Sequence, residues 1–251
     1  MYIGNFALNV LCQLFDASVG SILSYSSEVW GYTKSKEIER VHLKFCKRFL
    51  NIRMNSCSIG VYGELARYPL YIQRYYKIIK YWCTLRQSNN IILIKLYDSG
   101  LADCLVGHTN WVSNVKKLLD DHGFSNVFTT VNSDVLQTFP LLIKQRVIDC
   151  FVQEWHSYVD RSAILEEYKL YKHVFSFETY LLCVPKDLRM YLTRFRISSH
   201  SLRIQTGRYE KNKIARNERN CMYCGSRDIE DTYHYVKNFY DRLLIIYSTL
   251  V

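Results

Sequence analysis

Cys221-Met222-Tyr223-Cys224-Gly225, with nine residues between Cys224 and His234, is the arrangement in this sequence best suited to chemistry. A CxxC turn brings two thiolates to one side of a tight bend, and an imidazole supplies a third ligand of the kind zinc takes. No Cys or His follows His234 as far as Val251, so a closed tetrahedral site needs Asp241, a water or His200. Zinc is therefore the expected cofactor, held by an incomplete set of Cys221, Cys224 and His234. The alternative is an unmetallated pair of thiols.

Immediately before that turn lies a concentration of positive charge. Lys186, Arg189, Arg194, Arg196, Arg203, Arg208, Lys211, Lys213, Arg216 and Arg219 stand against Asp187, Glu210 and Glu218, a local net charge of +7. The whole chain of 251 residues carries +10, from 33 Lys and Arg against 23 Asp and Glu, so most of the excess sits in this stretch. If Leu188 to Ile204 is one helix, Arg189, Thr193, Arg196, His200 and Arg203 share a stripe, with Leu188, Leu192, Phe195 and Leu202 on an adjoining apolar face. Guanidinium groups in a row suit phosphate, because each planar fork donates two parallel hydrogen bonds and counterion release adds a salt-dependent drive. A second basic face is expected further upstream. Ser35 can cap a helix in which Ile38, Val41, Phe45 and Phe49 form the apolar stripe and Arg40, Lys44, Lys47 and Arg48 lie opposite. A solvated face is the plain alternative for both.

Other chemistries are absent from the pattern. There is no GxxxxGK[ST], GxSxG or HExxH. The acidic pair Asp120-Asp121 reads as a helix end before Gly123 rather than as a magnesium-binding hairpin. His200 lacks a partner in sequence and reads as a hydrogen-bonding group, and no enzyme activity is expected.

The elements that must position these residues are mostly helical. With 49% hydrophobic and 15% aromatic residues, only 3 prolines and 10 glycines, the composition favours long helices and excludes disorder. Leu8 to Tyr25 reads as one apolar helix, apolar enough to suggest that Met1 begins partway through a larger protein, and to offer a docking face to a protein partner. Val61 to Tyr68 leads to Pro69, and Leu70 to Arg86 follows as a helix in which Tyr75, Tyr76 and Trp82 alternate with Arg74, Lys77 and Lys80. That pattern is core packing or a platform for stacked bases. Ser88-Asn89-Asn90 is a break, Asn110 to Asp121 a shorter helix, and Val127 to Val131 a short strand. Leu141 to Tyr158 is a helix burying Leu142, Ile148, Phe151 and Trp155, and Arg161 to His173 continues the array. The expected fold is mainly α, a helical array with a small C-terminal CxxC/His zinc-knuckle-like element. Nine scattered cysteines without a secretory signal indicate a reducing, intracellular setting, nucleus or cytoplasm, and no membrane span is expected.

Several blocks, in order, carry a likeness. They are Leu14-Phe15-Asp16, Ser21-Ile22-Leu23-Ser24-Tyr25, Glu28-Val29-Trp30-Gly31, Val41 to Arg48, Val61-Tyr62-Gly63-Glu64-Leu65 and Arg67-Tyr68-Pro69-Leu70. Further on come Tyr191 to Arg196, Ile204 to Tyr209, and Cys221 to Cys224 with Asp228-Ile229-Glu230-Asp231 and His234. Together they resemble the C-terminal part of reverse transcriptase polyproteins from non-LTR (LINE-type) retrotransposons. The resemblance implies a thumb-like helical segment over 1–60, a helical connector over 61–185, and a basic helix with a degenerate zinc knuckle over 186–251. It also implies RNA or DNA as partner. The family's aspartate-bearing palm and its endonuclease have no counterpart here. Where the family places a final cysteine shortly after the histidine, this sequence reads Lys237-Asn238-Phe239-Tyr240. The expected function is non-catalytic binding of RNA or DNA through Arg189 to Arg219, aided by Arg40 to Arg48. The alternatives are a protein-interaction module and a pseudogene product without a retained role.

Overall fold

The computed structural model describes residues 8–129 and 133–238. Among these the fold is mainly helical, as the composition predicts, and the only β pairing is an isolated antiparallel bridge between Asn220 and Ile229. No helix is long and apolar enough to cross a membrane among the described residues.

The apolar opening is helical without a break from Leu8 to Leu23, two residues short of the expected end, with a π-helical turn inside it. It comprises α1 (Leu8–Phe15), a π-helical turn (Asp16–Gly20) and α2 (Ser21–Leu23), then turns before α3 (Ser27–Trp30). Of the expected apolar positions Leu11, Leu14, Phe15, Val19, Ile22 and Leu23, Phe15 alone is buried, stacked on His42 and Phe45, while Leu14, Val19 and Ile22 are exposed, as is Tyr25. Helix α4 (Lys36–Phe49) starts where expected, with the Ser35 Oγ accepting the Ile38 N–H. Its buried face is rotated from the expected one: His42 and Cys46 are inside and Val41 is exposed. Helix α5 (Ser58–Leu65) is followed by α6 (Leu70–Arg86), whose bounds match those read from its spacing. Tyr75, Ile79 and Trp82 of α6 are core, and Arg74 is fully buried against Glu39, so the base-stacking reading of this helix does not hold.

Asn90 caps α7 (Ile91–Leu105), a helix that sequence spacing missed, and Asn110 closes a capping box with Ser113 on α8 (Trp111–Asp121). Gly123 at φ +82 ends that run in the left-handed region. The expected strand at Val127 is instead a 3₁₀ turn (Ser125–Thr129), and Val131 lies outside the described residues.

Helix α9 (Ser133–Arg161) runs straight through Pro140, where the sequence predicted a start. The reason is a stripe at three- and four-residue steps on both sides of the proline: Leu136, Phe139, Ile143, Val147, Phe151, Trp155 and Val159 are all buried. Its burial outweighs the lost N–H and the clash that Pro brings. Leu142, expected inside, is exposed. After Arg161 the chain does not continue as a long helix. It makes turns and a 3₁₀ segment (Tyr168–Leu170), then α10 (Tyr180–Cys183) and α11 (Lys186–Arg196). Helix α12 (Arg203–Thr206) follows, and a last 3₁₀ turn (Arg216–Glu218) leads to the cysteines.

Two apolar clusters result. The first joins α6, α7, α8 and the front of α9 around Trp82, Leu119 and Phe139. The second joins α4, α5 and the end of α9 to Leu165, Tyr168, Leu181 and Ile197, and so draws on all three sequence segments. Helix α5 enters this second cluster through glycines. A Cβ on Gly63 would lie 2.6 Å from the Tyr168 Oη and 2.7 Å from the Trp155 Cζ2, and one on Gly60 3.0 Å from the Ile197 Cγ2. Gly63→Ala should therefore destabilise the chain by about 1–3 kcal/mol despite alanine's better helix propensity. Urea denaturation should show a lower midpoint at unchanged m-value.

Candidate functional site

The predicted Leu188–Ile204 helix is broken. Helix α11 ends at Arg196, Ser198 takes φ +54, and a separate α12 begins at Arg203, so Arg189, Thr193, Arg196, His200 and Arg203 do not share one stripe. The side of α11 carrying Arg189, Thr193 and Arg196 is turned inward, while Leu188 and Leu192, expected in the core, are exposed.

The cause is the carboxylate of Glu64, fully buried in α5. Arg196 grips it with two hydrogen bonds, Nε to Oε2 at 2.9 Å and Nη2 to Oε1 at 3.0 Å, and reaches Glu178 at 2.8 Å. Tyr180 donates its hydroxyl to Glu64 at 2.5 Å and also meets the Thr193 Oγ1 at 2.8 Å. The Tyr171 and Tyr180 rings lie 4.7 and 5.1 Å from the guanidinium carbon. Lys172 pairs with the other side of Glu178. Burial on its own lowers the Arg196 pKa, but the bonds and charges of Glu64 and Glu178 more than reverse this, and the net shift is upward. Burial, then Glu64, pushes the Tyr180 phenol above its ordinary range.

Most of the other arginines expected to meet nucleic acid also have internal partners. Arg189 donates to the Leu181 carbonyl at 2.6 Å, Arg194 to that of Asn51 at 3.0 Å, and Arg208 to that of Ala163 at 2.8 Å. Arg219 binds the carbonyls of Ile214 and Ile204, and Arg216 pairs with Glu166. Among the described residues, the side chains of Lys186, Arg203, Lys211 and Lys213 are the members of the basic stretch with no such bond. In α4, Lys47 is buried and donates to the Met54 carbonyl at 2.9 Å, whereas Arg40, Lys44 and Arg48 are exposed and form no ion pair among the described residues.

The metal-ligand trio is brought together as its spacing predicts. Ligand atoms of Cys221, Cys224 and His234 all lie within 4.8 Å of one another, close enough to hold a metal ion and compatible with zinc. The turn is built by the Asn220–Ile229 bridge, by the Cys221 N–H donating to the Asp228 carbonyl at 2.8 Å, and by Gly225 at φ +69. The Tyr223 N–H points to the Cys221 Sγ at 3.5 Å. Asp231 accepts the His234 N–H at 2.7 Å, at the start of a helical run over 232–238 that carries the imidazole. The Ser226 hydroxyl and then its backbone N–H bring the Cys224 pKa down to about 6, which favours the thiolate form a metal would take. Burial instead pushes Cys46 and Cys83 up to about 12.

Of the proposed fourth ligands, Asp241 lies outside the described residues. His200 is not in the cluster: it lines a separate cavity, and burial, then Arg53, lowers its pKa to about 4. The neighbour that sequence reading missed is Asn238, whose amide nitrogen sits 2.9 Å from the His234 Nε2. No family model, curated protein or solved structure matches this chain.

Arg196→Gln should leave the buried Glu64 charge uncompensated and cost about 3–5 kcal/mol. A chemical-denaturation curve would show that loss, and a stability unchanged from the parent chain would refute the internal role of Arg196.

Proposed function

We propose that the chain is a non-catalytic nucleic-acid-binding protein whose binding face is centred on α4. The observation that carries this is the row of Arg40, Lys44 and Arg48, exposed at four-residue steps without an ion pair among the described residues. Lys36, Arg40, Lys44 and Lys47 border one open groove. Glu39, the only acid bordering it among the described residues, already accepts the N–H groups of Leu70 and Tyr71 at 3.0 Å and pairs with Arg74. Such a face offers phosphates three mobile cations at low desolvation cost. Arg203, Lys211 and Lys213 extend the positive field, while the rest of the Arg189–Arg219 group acts within the fold. The resemblance to the C-terminal part of LINE-type reverse transcriptases agrees with an RNA or DNA partner. A second reading, docking of a protein partner on α1 and α2, is favoured by the exposure of Leu14, Ile22 and Tyr25.

Binding of labelled RNA or duplex DNA, followed by anisotropy across a salt series, should fall steeply with salt. Replacing Arg40, Lys44 and Arg48 together with Gln should flatten the log–log slope by about 0.7–0.9 for each phosphate no longer neutralised, roughly two units or more in all. An unchanged slope would remove α4 from the interface.

Within the same reading, Cys221, Cys224 and His234 hold zinc, which would fix the C-terminal turn, with the fourth position taken by water or by Asn238. Zinc titrated into the reduced chain should release protons as it binds. Cobalt should give a thiolate charge-transfer band that Cys224→Ser weakens and that replacing Cys221 and Cys224 together with Ser abolishes. Asn238→Cys, which adds a fourth strong donor, should tighten zinc about tenfold or more. Absence of the cobalt band in the parent chain would leave Cys221 and Cys224 as an unmetallated pair of thiols.

A further inference from the structure

A cavity of about 450 Å³ lies between the 53–59 loop, the end of α9 and the 198–209 segment. Helix α5 begins at its wall, with Cys57, Ser58 and Ile59 lining it. The Cys57 side chain makes no capping bond. The first-turn N–H groups of Ser58, Ile59 and Gly60 have no acceptor within the helix, and the helix dipole adds positive potential there.

A second, independent feature is His200, which lines the same cavity and is 8% exposed. Its Nδ1 accepts the Leu202 N–H at 3.3 Å, which places the proton of the neutral ring on Nε2. That Nε2 is buried with no partner among the described residues, a donor in need of an acceptor. Arg53 also lines the cavity, and its guanidinium makes no ion pair or hydrogen bond among the described residues. Among those residues no Asp or Glu borders this space. Donors and cations without an acid suit an anion with several acceptor oxygens.

Position narrows the ligand. Lys47 and Ser58 line this cavity and also the α4 groove beside Lys36, Arg40 and Lys44, so the cationic track on α4 leads into it. We propose that this cavity is a phosphate-binding site, in which Arg53, the His200 Nε2–H and the uncapped amides of α5 receive one phosphate group of a strand lying along α4. The strand rests on the nucleic-acid reading above; the phosphate site does not.

The test is amide and histidine-side-chain NMR on the full chain with inorganic phosphate, then with one oligonucleotide bearing either a 5′-phosphate or a 5′-hydroxyl. Phosphate should saturably shift the Ser58, Ile59 and Gly60 amides and the His200 Nε2 resonance, with chloride at equal ionic strength giving no such pattern. Arg53→Gln, at an exposed loop position, should weaken phosphate about tenfold while the rest of the spectrum stays folded. A preference for the 5′-phosphate would identify a strand end as the ligand. Equal shifts from both oligonucleotides, abolished in Arg53→Gln, would identify an internal phosphodiester. Phosphate saturation without any oligonucleotide binding would keep the site, assign it to a small phosphate ester and end the strand reading. Oligonucleotide binding that moves α4 but leaves Ser58–Gly60, His200 and the Arg53→Gln affinity unchanged would overturn the site and leave the α4 interface standing.

Discussion

A carboxylate removed from water must be matched in charge and in hydrogen bonds, and Glu64 imposes that demand on half the molecule. Its carboxylate partners are Tyr180 in α10 and Arg196 in α11, and Arg196 is held in turn by Glu178, which pairs with Lys172 in the turns between α9 and α10. Satisfying one buried side chain therefore fixes where α10 and α11 lie against α5. The glycines beside Glu64 have the same origin, because α5 must come close enough to Trp155, Tyr168 and Ile197 for the pairing to be sealed from solvent.

That constraint explains which parts of the sequence were readable. Local signals were enough for the bounds of α6, the Ser35 cap, the start of α8 to within a residue and the closing Gly123, since each depends on neighbours a few residues away. The Cys221, Cys224 and His234 trio was legible for the same reason, the spacing itself determining the turn. The facing of α11 was not. A helix with leucines on one side and arginines on the other reads as leucine-in, and only a carboxylate 132 residues away in sequence reverses it. The passage of α9 through Pro140 was hidden similarly, because the stripe that holds it together is recognised only when both halves are seen against α5 and α6.

The positive charges divide by chemistry more than by sequence. A guanidinium has five donors in a rigid plane, and here arginines bond the carbonyls of the short helices at Leu181 and Ile204 and of the irregular backbone at Asn51, Ala163 and Ile214. The C-terminal region has few regular hydrogen bonds of its own, so it draws on these side chains in place of a sheet or long helices. Net charge in that stretch thus records the need for backbone partners as much as affinity for a polyanion. On α4, where the helix satisfies its own backbone, Arg40, Lys44 and Arg48 stay exposed with no ion pair among the described residues, and only Lys47 is drawn inward to a carbonyl.

The two apolar clusters also differ in when they can form. Every buried member of the first lies between Tyr62 and Phe151, whereas the second includes Cys46 and Ile197. During synthesis the first can close once α9 has emerged, while the Glu64 carboxylate and the apolar side of α4 wait for α11. In that interval the nascent chain presents Leu50, Val61 and Leu65 together with an unpaired acid. The emergence of α11, and not the closing of the first core, therefore sets the moment at which the second core can be completed.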